Sequence, residues 1–116
     1  MRVLWRQMDG ARLIVLTGEL DRNDEEPIAE VLQTDDARSH QIAFVDLSDL
    51  GFADSTILTL IYDLIRDRPE GSWLGLIAPS AGLKRMLTLS GLAAHPSVRL
   101  FASLEEARLA LPAETA

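Results

Sequence analysis

The sequence predicts a single α/β domain built on a mixed β-sheet of four to five strands with about four helices. Three observations carry that expectation. Apolar runs rich in branched side chains recur along the chain, bounded by glycine or polar turn residues. Between them lie segments whose apolar residues repeat at helical spacing behind a capping residue. The resulting order, β-β-α-β-α-β-α-β-α, calls for parallel strands joined by crossover helices after an opening hairpin. At 116 residues the chain is expected to form one domain over 1–116, without a second lobe or linker.

Each element follows from its own residues. Strands are expected at 2–7 and 11–17, and the intervening "MDG" at 8–10 is a tight-turn signal that joins them into a hairpin. "NDEEPIAEVL" at 23–32 reads as a helix, with Asn23 as cap, Glu26 three residues on and Pro27 in the first turn. Its apolar stripe, Ile28, Val31 and Leu32, is short. "QIAFVD" at 41–46 is almost continuously apolar, as expected of a strand buried on both faces. "SDLGFA" at 48–53 reads as a loop, and a helix follows from Ser55. Its residues Ile57, Leu58, Leu60, Ile61, Leu64 and Ile65 turn largely toward the core.

A further strand is expected at 73–77 within "SWLGLIA". "PSAGLKRMLTLSG" at 79–91 offers Ser80 as cap, Leu83, Met86 and Leu87 as buried stripe, and Gly91 as stop. "SVRLF" at 97–101 alternates as a strand. "SLEEARLAL" opens with the capping box Ser103 and Glu106, and residues 111–116 are expected to fray.

Bulk properties narrow the function. Eighteen acids against eleven bases give a net charge of −7, a surface that repels phosphate backbones and anionic lipid, so no direct nucleic-acid binding is expected. Ten bases are Arg and only Lys84 is Lys; they are scattered along the sequence, and no basic patch is expected. Without cysteine there is neither a disulfide scaffold nor a thiolate metal site, which fits a reducing compartment. No run approaches the roughly 18 apolar residues of a membrane span, so no membrane insertion is expected. "MRVLWRQMDGARL" lacks the apolar core of a signal peptide. A soluble cytoplasmic protein is the expectation.

Catalysis finds few parts. His40 and His95 belong to no ligand-spaced cluster, and the nucleotide-loop, zincin and hydrolase motifs are missing. Glu25-Glu26 and Glu105-Glu106 stand in first turns of helices, where the macrodipole favours acids. The chain reads as a non-enzyme with no cofactor and no metal. What stands out is Asp54-Ser55-Thr56, at the start of a helix on the carboxyl side of a strand, where open α/β sheets present functional loops. One account makes Asp54 or Ser55 a plain N-cap, contributing about 1 kcal/mol. The other makes the hydroxyl a switch. Ser55, Thr59, Tyr62 and Arg66 recur at spacings of four, three and four, with Thr56 and Asp63 alongside. Small hydroxyls and a tyrosine suit a contact surface better than a merely solvated one.

"LTGELD" at 16–21, "FVDLSDLGFADST" at 44–56 and "PSAGLKRMLTLSGL" at 79–92 resemble, in order and spacing, the blocks of the STAS domain family, specifically its bacterial anti-sigma factor antagonists. The resemblance covers nearly the whole chain. It implies that Ser55 is phosphorylated by a partner that is both serine kinase and anti-sigma factor, with Thr56 as second candidate. Asp21, Asp54, Ser55, Thr56, Thr59, Tyr62, Asp63 and Arg66 are the expected partner-binding residues. Unmodified protein would bind the kinase and release the sigma factor; phosphorylated protein would let go; a PP2C-type phosphatase would reset it. ATP and magnesium would belong to the kinase. Ile57 departs from the family pattern, which has glycine there. Pointing inward it would matter little; pointing outward it would obstruct a kinase and favour the alternative, a constitutive STAS subunit of a transporter ATPase complex or signalling scaffold. A homodimer stays open.

Overall fold

The computed structural model describes residues 2–21, 23, 26, 42–66 and 71–111. In chain order these form β1 (Arg2–Met8), β2 (Ala11–Leu20), β3 (Ile42–Asp46), β4 (Leu50–Ala53), α1 (Thr56–Ile65), β5 (Trp73–Ile77), α2 (Ala81–Ser90), β6 (Val98–Phe101) and α3 (Leu104–Leu109). A 3-10 turn, Leu92–Ala94, lies between α2 and β6. The expected helix at 23–32 lies outside the described residues apart from Asn23 and Glu26, as do His40 and residues 112–116. Leu111, at the head of the segment expected to fray, donates its N–H to the Arg108 carbonyl at 3.2 Å and packs against the core.

The sheet is mixed, in the order β1-β2-β3-β5-β6, with β4 paired to β2 off that path. β1 and β2 form the antiparallel hairpin, and the remaining pairings are parallel. Asp9 and Gly10 turn that hairpin at φ 49° and 88°, the double positive φ that a two-residue turn of matching twist requires.

Alternation along the strands divides the core between the two faces of the sheet. Ile14, Leu16, Ala43, Val45, Leu74 and Leu76 face one side, where they meet Ile57, Leu60, Ile61 and Leu64 of α1 and Leu83 and Leu87 of α2. Leu13, Phe44, Trp73, Ile77 and Phe101 face the other, with Ala107 of α3. Because both faces are covered, β5 is buried at every position, which is why its sequence is a continuous apolar run.

One feature of the architecture differs from the expected loop at 48–53. Leu50–Ala53 is a sixth strand, pairing in parallel with the far end of β2. Four residues containing a glycine show no alternation long enough to read, and the pairing is set by a non-local partner.

Candidate functional site

The site is assembled where β2 runs past the main sheet. Gly18 holds φ 95°, open to glycine, and directly after it the β2–β4 register shifts between Gly18 and Glu19, with Gly51 of β4 as the extra residue. The Gly18 N–H donates to the Asp49 carbonyl at 3.2 Å, and β4 then runs alongside Glu19 and Leu20. One residue after β4 ends, the Asp54 N–H donates to the Leu20 carbonyl at 3.2 Å. The two motifs, "LTGELD" and "ADST", are thereby tied by backbone hydrogen bonds across β4. Asp21 follows directly, exposed, with its carboxylate accepting the Asn23 N–H at 2.9 Å.

The start of α1 separates the roles of three adjacent polar residues. The Asp54 Oδ1 accepts the Thr56 N–H at 2.9 Å, and the Asp54 carbonyl accepts the Ile57 N–H at 3.2 Å. Asp54 therefore caps the helix. Ser55 already has helical backbone angles, φ −63° and ψ −9°, and its side chain makes no capping hydrogen bond. Its hydroxyl is exposed at the positive end of the helix. Thr56 is 8% exposed and turns inward, so the expectation that it lies beside the exposed stripe is corrected. The reason is angular: one residue on from Ser55 rotates the side chain by about 100° around the helix axis.

Ile57, 1% exposed, is part of the core. The orientation on which its significance depends is inward.

Along α1, Thr59, Tyr62 and Arg66 are exposed on the same side as Ser55, Tyr62 by 52%. Asp63 is half-buried, and its Oδ1 lies 3.7 Å from Arg66 Nη1, an exposed pair of little energetic weight. Leu58, Thr59 and Tyr62 also form one wall of a cleft of about 400 Å³, opposite Ser90, Gly91, Leu92 and His95. The His95 Nδ1 accepts the Ser97 N–H at 3.0 Å, which leaves Nε2 as the protonated nitrogen of the neutral ring. Leu58, Leu92 and His95 are site neighbours that sequence reasoning missed; the signal lay in the closing Ser90-Gly91-Leu92, which brings the end of α2 against α1.

Among the described residues no group of three or more His, Cys, Asp or Glu is arranged to hold a metal ion, and no helix is long and apolar enough to cross a membrane.

A family model, the STAS domain, matches residues 3–107 and spans all three motif blocks. The chain belongs to the STAS domain family. Several solved structures share this STAS fold. An anti-sigma factor antagonist from Mycobacterium paratuberculosis is 22% identical with a TM-score of 0.82, over 94% of this chain and 92% of that one. The anti-sigma factor antagonist SpoIIAA in its unphosphorylated form is 24% identical with a TM-score of 0.73, over 91% and 92%. The phosphorylated form of SpoIIAA, a Bacillus cell fate determinant, is 24% identical with a TM-score of 0.68, over 91% and 96%. A comparison with curated protein sequences finds no significant match. The likeness to these structures is one of fold, and the neighbours named here are anti-sigma factor antagonists.

Proposed function

We propose that this protein is an anti-sigma factor antagonist switched by phosphorylation at Ser55, acting in the cytoplasm as a binding module and not as a catalyst. Unphosphorylated, it binds an anti-sigma factor with serine kinase activity through the α1 face, Asp21 and Asp54, and so frees a sigma factor. Phosphorylated, it is released until a PP2C-type phosphatase removes the group. One observation carries the reading. Asp54 caps α1, so the neighbouring Ser55 hydroxyl is exposed and has no part in holding the helix start.

The physics of a phosphate there suits a switch. It adds roughly −1.5 to −2 charge at pH 7. At a helix N-terminus the aligned N–H groups favour that charge, so the domain keeps its fold. Pressed against a partner, the same group loses water and lies one residue from the Asp54 carboxylate. Like charges brought together at an interface cost several kcal/mol, and about 1.4 kcal/mol is already tenfold in affinity.

Incubation with a cognate anti-sigma kinase, ATP and magnesium is expected to place one phosphate on Ser55, read by mass spectrometry, and to dissolve the complex, read by size-exclusion chromatography. Ser55→Ala should stay bound throughout. Modification solely elsewhere, or a complex indifferent to phosphate on Ser55, overturns the proposal. The alternative of a constitutive subunit rested on an outward Ile57; with Ile57 in the core, that support is gone.

A further inference from the structure

The net charge conceals a polarity along the chain. Residues 71–104 contain three bases, Lys84, Arg85 and Arg99, and no acid, a charge of +3. The remaining residues hold eight bases and all eighteen acids, a charge of −10. Two of the three bases are adjacent on α2, which contains no acid at all. Lys84 and Arg85 thus stand as a pair of adjacent exposed bases, while Arg99 lies elsewhere, over the Trp73 ring.

Lys84 and Arg85 are exposed, and neither is ion-paired among the described residues. Ala81, Lys84, Arg85, Thr88 and Leu89 fall at i, i+3, i+4, i+7 and i+8, the rows along which one helix packs upon another. Together they line a shallow groove of about 360 Å³ on the outer face of α2. Leu89 is 77% exposed. A lone exposed leucine needs no explanation. This one continues a groove whose other members are an alanine, a threonine and the aliphatic stems of two basic side chains.

We infer that the outer face of α2 is a docking surface for an acidic amphipathic helix of a partner protein. The apolar row of that helix seats on Ala81, Thr88 and Leu89, and its carboxylates face Lys84 and Arg85, as flanking charges do across paired helices. Charge complementarity selects this occupant. Nucleic acid or an anionic membrane extends its charge far beyond two adjacent bases and so meets the −10 of the remaining chain, whereas a single short helix seated on α2 can confine its carboxylates to the side of Lys84 and Arg85. A phosphate backbone would also leave Leu89 without an apolar counterpart. The surface uses none of the residues assigned to the phosphorylation switch, and the inference does not rest on that reading.

The test is amide-shift mapping on the 15N-labelled full chain with four probes. These are a synthetic amphipathic peptide with leucines at helical spacing flanked by glutamates, its lysine-for-glutamate counterpart, phosphatidylglycerol vesicles, and a DNA duplex. The glutamate peptide is expected to shift the amides of 81–89, and the lysine peptide is not. The double variant Lys84→Glu/Arg85→Glu, whose side chains are exposed, should retain the folded spectrum. It should lose at least about tenfold in affinity for the glutamate peptide and gain for the lysine peptide. Leu89→Ser should weaken binding severalfold without changing that preference. Shifts that avoid α2, a charge-reversed variant that binds the glutamate peptide unchanged, or vesicles or duplex shifting 81–89 where the peptide does not, each overturns the assignment.

Discussion

Asp54 and Ser55 are neighbours with different duties, and substitution can tell them apart. Asp54→Ala removes the oxygen that accepts the Thr56 N–H and should destabilise the fold by about 1 kcal/mol, read as a lower urea midpoint. Ser55→Ala removes no capping bond and should change stability by less than about 0.5 kcal/mol. A larger loss at Ser55 than at Asp54 would return the serine to a structural role and weaken the case for a switch. That one of these residues starts a helix was legible in the sequence. Which one was not, because aspartate and serine are equally good caps and only the backbone angles at Ser55 decide. The same holds for Ile57: its helical phase relative to Leu60, Ile61 and Leu64 placed it near the core, but the depth of burial depends on the sheet beneath it.

At the scale of elements, the arrangement of the site depends on β4. The strand is short and pairs with β2 only from Gly18 onward, across a register shift, so its position depends on one residue holding φ 95°. An L-residue, which carries a Cβ, is strained at such an angle by about 1–2 kcal/mol. Gly18→Ala is expected to lower stability by that amount and to accelerate amide exchange at Leu50–Ala53 and Asp54 more than at β3 or β5. Uniform acceleration across the sheet would mean Gly18 does not govern β4 locally. The regular strands and α2 were legible because each is long enough to show its period, and Ser80 does cap α2 by accepting the Leu83 N–H at 3.2 Å. β4 was not, because "LGFA" is broken by a glycine and shows no polar alternation such as β6 has at Arg99, and its partner lies more than thirty residues away in the chain.

At the scale of the molecule, the fold class followed from alternating strands and helices, whereas the charge polarity escaped because a net value sums over it. The two-sided core has a further consequence. A Cβ on Gly75 would lie 2.6 Å and 2.8 Å from carbons of the Phe44 ring and 2.9 Å from Phe101, closer than packed atoms tolerate. These rings and Trp73 pack mutually, with centroids 5.5 to 6.0 Å apart, on the face that carries α3. The sheet cannot bow away to relieve the clash, since Leu74 and Leu76 on the same strand are held by α1 and α2 on the opposite face. Gly75→Ala should therefore destabilise by about 1–3 kcal/mol, as overpacking does. Phe44→Leu alone should also destabilise, by removing a buried ring. Combined, the two should lose less than the separate losses added, because the smaller side chain at 44 vacates the space that alanine needs. Chemical denaturation of the three variants measures that coupling. Simple additivity would show that the strands shift to accommodate the methyl, and that the two faces of the sheet are less firmly joined than their packing implies.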